Sequence, residues 1–266
     1  MPLNIIIIGA GLGGLCAALA LARSGHTVTL YERRPTFIPA GGGIMIRPNA
    51  TRFLIQWGLE SDFTTISDPA GATNFRDGKN GELLMKRQVM TKEAGGWPDW
   101  GTFRRETQEI LFRRAEERGV RMEFGVGVED VWEEGEKAGV RLSGGKGERE
   151  ADLILVANGV LSRLRERVVP HVPEPKLGWS TLYQTMVDGK AMRRNADSKR
   201  LVQSSDLEVW MMGGGGGYIV SRYNSKLDLY GGVYGIPETD GNPRLYDEVS
   251  KICEQSDGVC DADFDE

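Results

Sequence analysis

The sequence has few of the residues from which metal sites, nucleophilic triads and disulfide frameworks are built. Its 266 residues include only two histidines, His26 and His171, which lie far apart in the chain. A histidine-based metal site or catalytic triad is therefore not predicted. The three cysteines, Cys16, Cys253 and Cys260, are too few and too scattered for a disulfide framework or a zinc site. Their scarcity indicates a reducing, intracellular compartment, which we expect to be the cytoplasm.

An excess of positive charge is also lacking. The formal net charge is −5, so no basic field is present that would attract nucleic acid or anionic lipid. The longest nearly uncharged segment, residues 3–22, contains four glycines between Gly9 and Gly14, and no lysine or arginine precedes it. Because glycines this dense would break the helix of a signal peptide or of a membrane span, we expect neither. A nucleic-acid partner and a stable membrane span are therefore not predicted.

Near its start, the sequence contains the pattern of a strand, a glycine-rich turn and a helix. Residues 5–8 are four isoleucines, which is typical of a parallel strand buried on both faces. The motif Gly9-x-Gly11-x-x-Gly14 follows directly. The first glycine permits a tight turn, the second lets the backbone approach a pyrophosphate, and the third lets the helix pack close to the strand. The alanine- and leucine-rich residues 12–23 are predicted to form that helix, with its N-terminus directed at the phosphates.

A second predicted strand gives this nucleotide site an acidic end. Residues 27–31 form the strand, and Glu32 follows it, where a carboxylate can bind both hydroxyls of an adenosine ribose. The carboxylate argues against a 2′-phosphate at this position, because two anions would repel each other. FAD and NAD share this fingerprint, so the segment predicts a dinucleotide ligand without deciding between the two.

Three later segments favour FAD over NAD, because they resemble elements of a family that binds FAD. They are AGGGIMIRPNA at residues 40–50, FRRE at residues 103–106, and ADLILVANGVLSRLR at residues 151–165. In the same order, they resemble three elements of the FAD-dependent aromatic-ring monooxygenases of the p-hydroxybenzoate and salicylate hydroxylase type, the group A flavin monooxygenases. That family writes the second element as His-Arg-x-Asp/Glu and the third as Ala-Asp-Gly-x-x-Ser-x-x-Arg. The resemblance extends from Met1 to about Arg167.

The resemblance also implies which residues bind the cofactor. Arg104 matches the family's FAD-binding arginine, and an arginine at a helix start can neutralise a pyrophosphate; a solvated surface arginine is the alternative interpretation. Asn158 stands where the family has an aspartate, which puts the usual contact of that carboxylate in doubt. The predicted cofactor-binding residues are Gly9, Gly11, Leu12, Gly14, Glu32, Arg33, Gly43, Arg104 and Asn158.

The fold implied is α/β, with a Rossmann-like FAD-binding domain of the glutathione-reductase type interleaved with a mostly antiparallel β substrate domain. Residues 1–71 and 102–175 are assigned to the FAD-binding domain, residues 72–101 and 176–250 to the substrate domain, and residues 251–266 to an acidic tail. Alternating polarity predicts strands at residues 179–187, 207–212, 217–222 and 227–233. The turn residues 77–81 predict a hairpin.

Two positions in the predicted substrate domain bear on catalysis. In the family's fungal branch, an arginine on one strand and a tyrosine on a later strand assist phenolic substrates. Gln184 stands where the arginine is expected, so that role is lost. Tyr218 matches the tyrosine and is the candidate catalytic residue, although a half-buried sheet aromatic is the alternative. The Gly-Asp element with which the family completes its FAD site has no counterpart in the sequence.

The function implied is that of an FAD-dependent monooxygenase that hydroxylates a small aromatic, phenolic or related substrate. In that family NADH or NADPH reduces the flavin, and a flavin C4a-hydroperoxide formed with O₂ delivers one oxygen atom. The alternative is a shortened relative that binds FAD weakly or not at all and has a non-catalytic role. A disulfide oxidoreductase is set aside because Cys16 has no neighbouring cysteine. A plain NAD dehydrogenase would not explain the elements around Arg104 and Asn158.

Overall fold

A computed structural model describes residues 1–69, 71–88, 96–173, 175–176, 178, 180–213 and 216–237. The strands are β1 (Asn4–Ile8), β2 (Thr27–Glu32), β3 (Gly43–Ile46), β4 (Asp68–Pro69), β5 (Ala72–Asp77), β6 (Leu83–Gln88), β7 (Trp100–Phe103), β8 (Arg121–Phe124), β9 (Val128–Glu134), β10 (Lys137–Leu142), β11 (Glu148–Ala151), β12 (Leu153–Val156), β13 (Ser180–Asp188), β14 (Leu207–Met211), β15 (Tyr218–Asn224) and β16 (Leu229–Pro237). The helices are α1 (Leu12–Arg23), α2 (Pro48–Gln56), α3 (Glu60–Ile66), α4 (Arg104–Glu117), α5 (Arg165–Val168), α6 (Gly189–Arg194) and a 3-10 helix at Lys199–Val202.

The described residues fall into two compact units. One is drawn from Met1–Asp68 and Lys92–Leu177, the other from Pro69–Thr91 and Gly178–Glu266. The described residues 96–101 and Lys176, which the sequence placed in the substrate domain, lie in the first unit, and Pro69 and Gly71, which it placed in the FAD-binding domain, lie in the second. Trp100 belongs to the first unit because β7 pairs antiparallel with β3 and the Trp100 ring is buried against Phe63. The predicted acidic tail, residues 251–266, and the end of the predicted substrate domain, residues 238–250, lie outside the described residues.

The centre of the first unit is a parallel sheet with the strand order β12-β1-β2-β8. Strand β1 lies between two partners, with Ile5 opposite Leu153 on one side and Val28 on the other. Its four isoleucines are between 0 % and 5 % exposed, as expected for a parallel strand covered on both faces. The predicted strand–turn–helix–strand order of the first 32 residues is confirmed.

Alternate side chains of β1 belong to two separate apolar clusters. Ile5 and Ile7 pack with residues of helices α1 and α4. Ile6 and Ile8 pack instead with strand β10, which lies in the antiparallel sheet β11-β10-β9. This alternation follows from the two-residue period of a strand. Because burying one isoleucine side chain contributes about 1.5–3 kcal/mol, β1 anchors the first unit from both faces.

The second unit is built on a six-stranded sheet with the order β13-β16-β15-β14-β5-β6. All its pairings are antiparallel except that of β14 with β5. The predicted hairpin joins β5 to β6, and Asp77 Oδ1 closes it by accepting hydrogen bonds from the amides of Lys79 at 2.7 Å and Asn80 at 3.3 Å. The chain therefore has the predicted α/β architecture, with a parallel sheet in one unit and a mostly antiparallel sheet in the other.

Across the ranges given above, none of the helices combines the length and the apolar character needed to span a membrane.

Candidate cofactor site

The glycine turn joins β1 to α1, and the surrounding backbone requires two of its glycines. Gly9 has a φ of +105°, and a Cβ at this position would lie 2.7 Å from the carbonyl oxygen of Ala157. A Cβ on Gly14 would lie 1.9 Å from the carbonyl oxygen of Gly9. Real Cβ atoms essentially never approach another atom more closely than 3.0 Å. Neither position therefore accepts a side chain without a shift of the backbone.

Gly11 differs from these two glycines because its surroundings are open. A Cβ on Gly11 would meet none of the described atoms within 4 Å. The residue is the N-cap of α1, it has an ordinary φ of −72°, and it provides no side-chain hydrogen bond to the amides of the first helical turn, which begins at Leu12. Packing among the described residues therefore does not explain this glycine, and the N-terminus of α1 beside it is open.

Glu32 ends strand β2 with its carboxylate turned toward the glycine turn. Its Oε2 accepts a hydrogen bond from the amide of Ala10 at 2.8 Å, and its Oε1 accepts one from the amide of Arg34 at 3.0 Å. These two bonds fix the carboxylate at the carboxyl end of the strand, where α/β sheets place their ligands. Each oxygen of a carboxylate has a further lone pair, so Glu32 retains the capacity to accept two ribose hydroxyls.

The turn and Glu32 line a cleft of about 290 Å³. Its walls are formed by Ala10, Gly11, Glu32, Arg34, Thr36, Phe37, Ile38, Ala40, Gln108 and Phe124. Phe37 stacks on Phe112 with 4.2 Å between the ring centroids and contacts the Phe124 ring at 6.4 Å. The cleft thus combines an aromatic wall with a few polar groups, which is the usual composition of a nucleotide pocket.

The loop between β2 and β3 is fastened to the N-terminus of α4. Gln108 Nε2 donates a hydrogen bond to the Ala40 carbonyl at 2.9 Å, and the amide of Arg104 donates one to the Gly42 carbonyl at 2.9 Å. Gly41 has a φ of +112°, and a Cβ there would lie 2.8 Å from Cδ of Arg104. The aliphatic stem of Arg104 therefore packs against glycine, and its exposed side chain ends in a charge held at a helix start.

Two further predicted residues are Asn158, which lies at the same edge of the parallel sheet, and Gly43, which lies beside the start of α4. Asn158 follows β12, and a Cβ on Gly9 would lie 3.0 Å from Cα of Asn158. Gly43 begins β3 and pairs with Phe103, the residue before Arg104. The structure thus brings Asn158 to the glycine turn and Gly43 to the start of α4.

The structure places Arg34, and not the predicted Arg33, among the residues that line the cleft. The side chain of Arg33 begins near Gly127, because its Cβ lies 3.9 Å from where a Cβ of that glycine would be. Both arginines follow the end of β2 in a bend of the chain, and of the two only Arg34 lines the cleft. Gln108 was missed, although it lies four residues after Arg104 on the same helix face.

Tyr218 and Gln184 lie in the second unit, on one face of its six-stranded sheet. Gln184 is opposite Val233, which is opposite Val220, and Tyr218 lies two residues before Val220 on β15. Since residues two apart on a strand share a face, the two predicted residues point to the same side. The ring of Tyr218 covers Gly235, where a Cβ would lie 2.5 Å from Cε1 of the tyrosine.

Cys16 lies in α1 and packs against the core below the turn. Burial raises the pKa of its thiol to about 11, which keeps the thiol protonated and unreactive near neutral pH. Within the described ranges, no three side chains of histidine, cysteine, aspartate or glutamate gather in a way that could hold a metal ion.

Similarity to known proteins shows to which family a chain with this fold and cleft belongs. The family described as FAD binding domain matches residues 3–258, and the chain belongs to this family. FAD-dependent monooxygenase OpS4 of Beauveria bassiana is 32 % identical over 190 residues, which is 65 % of this chain and 42 % of the relative. FAD-dependent monooxygenase nsrK of Aspergillus novofumigatus is 30 % identical over 251 residues, 86 % of this chain and 48 % of the relative. The predicted relationship to flavin-dependent aromatic monooxygenases is confirmed, although the chain spans less than half the length of these relatives.

Solved structures show the same fold. The chain superimposes on CtdE in complex with FAD and a substrate with a TM-score of 0.78, at 22 % identity, over 94 % of this chain and 63 % of that chain. It superimposes on HpxO of Klebsiella pneumoniae in complex with FAD and uric acid with a TM-score of 0.76, at 22 % identity, over 93 % and 61 % of the two chains.

Proposed function

We propose that the first unit binds FAD in the cleft between the glycine turn and Glu32. The observation that carries this proposal is the contrast within the turn, where Gly9 and Gly14 are required by the backbone and Gly11 faces open space. Glu32 would bind the adenosine ribose, and the N-terminus of α1 at Gly11 and Leu12 would bind the pyrophosphate. Family membership and the relatives' names support FAD over other dinucleotides.

The surrounding residues have complementary roles in this proposal. Arg104 would neutralise phosphate charge from the start of α4, and Arg34 would do so from the cleft wall beside Glu32. Phe37 and Phe124 offer apolar surface to the purine. Asn158 would contact the cofactor from the end of β12, as a neutral donor and acceptor in place of a carboxylate.

The activity we propose is the hydroxylation of a small aromatic substrate with NADH or NADPH and O₂. When bound, FAD supplies hydride acceptance from the nicotinamide and activation of O₂ for transfer of one oxygen atom. The chain's own residues would position the ring, keep water away from it and hold its hydroxyl proton. We assign that last role to the Tyr218 hydroxyl, which can donate and accept a hydrogen bond. The names of the relatives support this activity, and one of them is a 6-hydroxynicotinate 3-monooxygenase of Bordetella bronchiseptica, 30 % identical over 167 residues.

Reconstitution tests both parts of the proposal. The chain is incubated with FAD, and the consumption of NADH or NADPH and of O₂ is followed with phenolic substrates, while mass spectrometry detects products that have gained one oxygen atom. We expect substrate-dependent turnover that Tyr218→Phe reduces without a change in FAD affinity. FAD binding without any turnover would contradict the activity and favour the non-catalytic alternative. Absence of FAD binding would contradict the whole proposal.

A further inference from the structure

Helix α6 and the 3-10 helix that follows it carry an unusual density of positive charge. Their buried side chains, Met192 and Val202, pack against Tyr223 and Tyr230 of the six-stranded sheet. Residues 188–200, which include α6 and the start of the 3-10 helix, contain five basic and two acidic residues. We name the exposed cations of this segment the α6 surface, and they are Lys190, Arg194, Lys199 and Arg200.

The fold of the segment brings these cations together. Lys190 and Arg194 are four residues apart on α6, so their side chains lie on the same side of the helix. The 3-10 helix packs beside α6, and the amide of Lys199 donates a hydrogen bond to the Asn195 carbonyl at 3.0 Å. Like charges are therefore gathered on one surface, where they repel one another.

The carboxylates near the α6 surface leave its positive charge in excess. Asp188 caps α6 by accepting a hydrogen bond from the amide of Ala191 at 3.0 Å, and Asp228 is paired with Arg193 at 2.7 Å. Asp197 lies exposed between the two helices. Among the residues that the structure describes, none forms an ion pair with the four cations of the α6 surface. An anionic segment placed there would relieve their repulsion.

The chain concentrates the opposite charge in its acidic tail, residues 251–266. The chain has 38 acidic and 33 basic residues, and the tail accounts for six of the acidic residues and one of the basic ones. The formal charge of the tail is therefore −5, which equals that of the whole chain, and residues 1–250 are neutral overall. After Lys251 the tail contains no further base.

The length of chain before the tail is sufficient for it to reach the α6 surface. Strand β16 runs away from α6, because its first residue, Leu229, pairs with Asp188 and its last residue is Pro237. The strand covers about 27 Å at its usual rise per residue. The 13 residues from 238 to 250 can span at most about 43 Å. A tether of this length gives the tail a local concentration in the millimolar range, which a separate acidic partner or a second copy would have to exceed.

We infer that the acidic tail binds the α6 surface of its own chain. Carboxylates form charge-assisted hydrogen bonds with guanidinium and ammonium groups. A single exposed ion pair contributes little, so the binding depends on several pairs that form together on one surface. Because these pairs are exposed, salt weakens them, and the screening length falls from about 10 Å at 0.1 M to about 3 Å at 1 M. The bound tail closes this surface of the second unit to other acidic segments.

Zero-length cross-linking of the full chain tests the inference. A carbodiimide joins carboxylates to lysine amines that they contact, and mass spectrometry of the digested protein locates each link. Lys79 is the comparison lysine, because it is exposed and its hairpin lies at the end of the sheet where β16 ends. Asp77, at the base of that hairpin, lies in one row with Gly235, two residues before Pro237. A tail that met lysines by proximity alone would therefore react with Lys79 first.

The expected result is a preference for the distant lysines. Tail carboxylates should link to Lys190 and Lys199 at least fivefold more than to Lys79 at low salt, and about 1 M NaCl should remove the preference. Equal yields at the three lysines, a higher yield at Lys79, or no link to Lys190 and Lys199 would overturn the inference.

Isotope labelling distinguishes the chain's own tail from that of a second copy. Labelled and unlabelled protein are mixed in equal amounts before cross-linking. We expect each link to join two labelled or two unlabelled segments. Links between labelled and unlabelled segments in the statistical proportion would assign the tail to a neighbouring copy and overturn the inference.

Two double variants test the role of the α6 surface. Arg194→Gln with Arg200→Gln removes two of its cations and keeps both lysines, so the yield of links to Lys190 and Lys199 should fall at least fivefold. Arg105→Gln with Arg118→Gln removes the same charge from exposed positions of the first unit and should leave the yield unchanged. An equal fall in both double variants would show that overall charge governs the reaction, and would overturn the inference.

Discussion

A Cβ on Gly14 would lie 1.9 Å from the carbonyl oxygen of Gly9, so the first and third glycines of the turn are locked together by the backbone. The second glycine has no such constraint, because a Cβ on Gly11 would meet none of the described atoms within 4 Å. The three glycines of the motif therefore differ in their surroundings: Gly9 and Gly14 allow the strand and the helix to pack, and Gly11 lies beside open space, where we propose that the pyrophosphate binds.

Substitution of Gly14 is expected to damage the fold itself. Gly14→Ala forces backbone to move and should lower the free energy of unfolding by about 2 kcal/mol or more, as overpacking of a tight core does. Gly13→Ala is the matched control, because a Cβ at this helical position meets none of the described atoms within 4 Å and should stabilise the helix by about 0.5–1 kcal/mol. Chemical denaturation in the absence of FAD measures the free energy of unfolding of both variants. Equal stability of the two variants would show that the turn is not packed as described.

Substitution of Gly11 is expected to affect ligand binding and spare the fold. Gly11→Ala should leave the free energy of unfolding within about 0.5 kcal/mol of the parent value, as other substitutions without steric conflict do. The added methyl group occupies space needed by the pyrophosphate, so FAD affinity should fall at least tenfold. The idea fails if fluorescence titration gives the variant and the parent the same FAD dissociation constant.

Removal of the Glu32 charge is expected to weaken FAD binding. Glu32→Gln keeps the size of the side chain but loses the carboxylate proposed to accept the ribose hydroxyls. Loss of a charge-assisted contact costs about 1.5–3 kcal/mol, or roughly ten- to a hundredfold in affinity. Glu129→Gln, at an exposed position of β9, is the control and should have no effect. Unchanged FAD affinity of Glu32→Gln would place the ribose elsewhere.

We expect Arg104 to bind a phosphate group of FAD, and we do not expect this of its neighbour Arg105. Arg104→Ala should weaken FAD binding by roughly ten- to a hundredfold, on the same energetic grounds, and should make binding less sensitive to salt. Arg105→Ala removes a side chain that is exposed and paired with Glu106 at 3.8 Å and Glu109 at 3.4 Å, so FAD affinity should not change. Titration of both variants with FAD at two ionic strengths distinguishes the two arginines. Equal losses of FAD affinity would show that the positive charge of this segment as a whole, and not Arg104 in particular, supports binding.

The first 32 residues could be predicted because their signals are local. The isoleucine run of β1, the glycine turn and helix α1 follow one another in sequence and in space, so spacing alone indicates their structure. The choice between Arg33 and Arg34 depended on which of two adjacent side chains faces the cleft, and periodicity without a fixed register cannot decide that. The parallel pairing of β14 with β5 joins segments that lie far apart in the chain, and local patterns carry no information about such a partner.

Asp228 is expected to stabilise the second unit in a pH-dependent way. Arg193 Nη2 and Tyr223 Oη donate hydrogen bonds to its carboxylate at 2.7 Å and 2.8 Å, and these bonds, led by that of Arg193, hold the pKa of Asp228 below its usual value. A carboxylate whose pKa is lower in the folded state contributes stability above the unfolded pKa of about 4, and that contribution is lost as the pH falls through the folded value.

Asp228→Asn removes this contribution while tolerating the backbone, which has a φ of 54° at this residue. The variant should unfold at a lower temperature at pH 7, and its melting temperature should fall less on acidification than that of the parent chain. Asp197→Asn, at an exposed position, is the control. Melting temperatures of Asp228→Asn and of the parent chain that fall by the same amount from pH 7 to pH 3 would contradict the stabilising role of the Asp228 carboxylate.

Binding of FAD in the cleft can be measured by titration of the purified chain with FAD, followed by flavin fluorescence and the visible spectrum. We expect saturable uptake of one FAD per chain, a visible flavin spectrum that survives gel filtration, and weaker uptake by Gly11→Ala. A chain that remains colourless and does not change the fluorescence of added FAD would contradict this expectation.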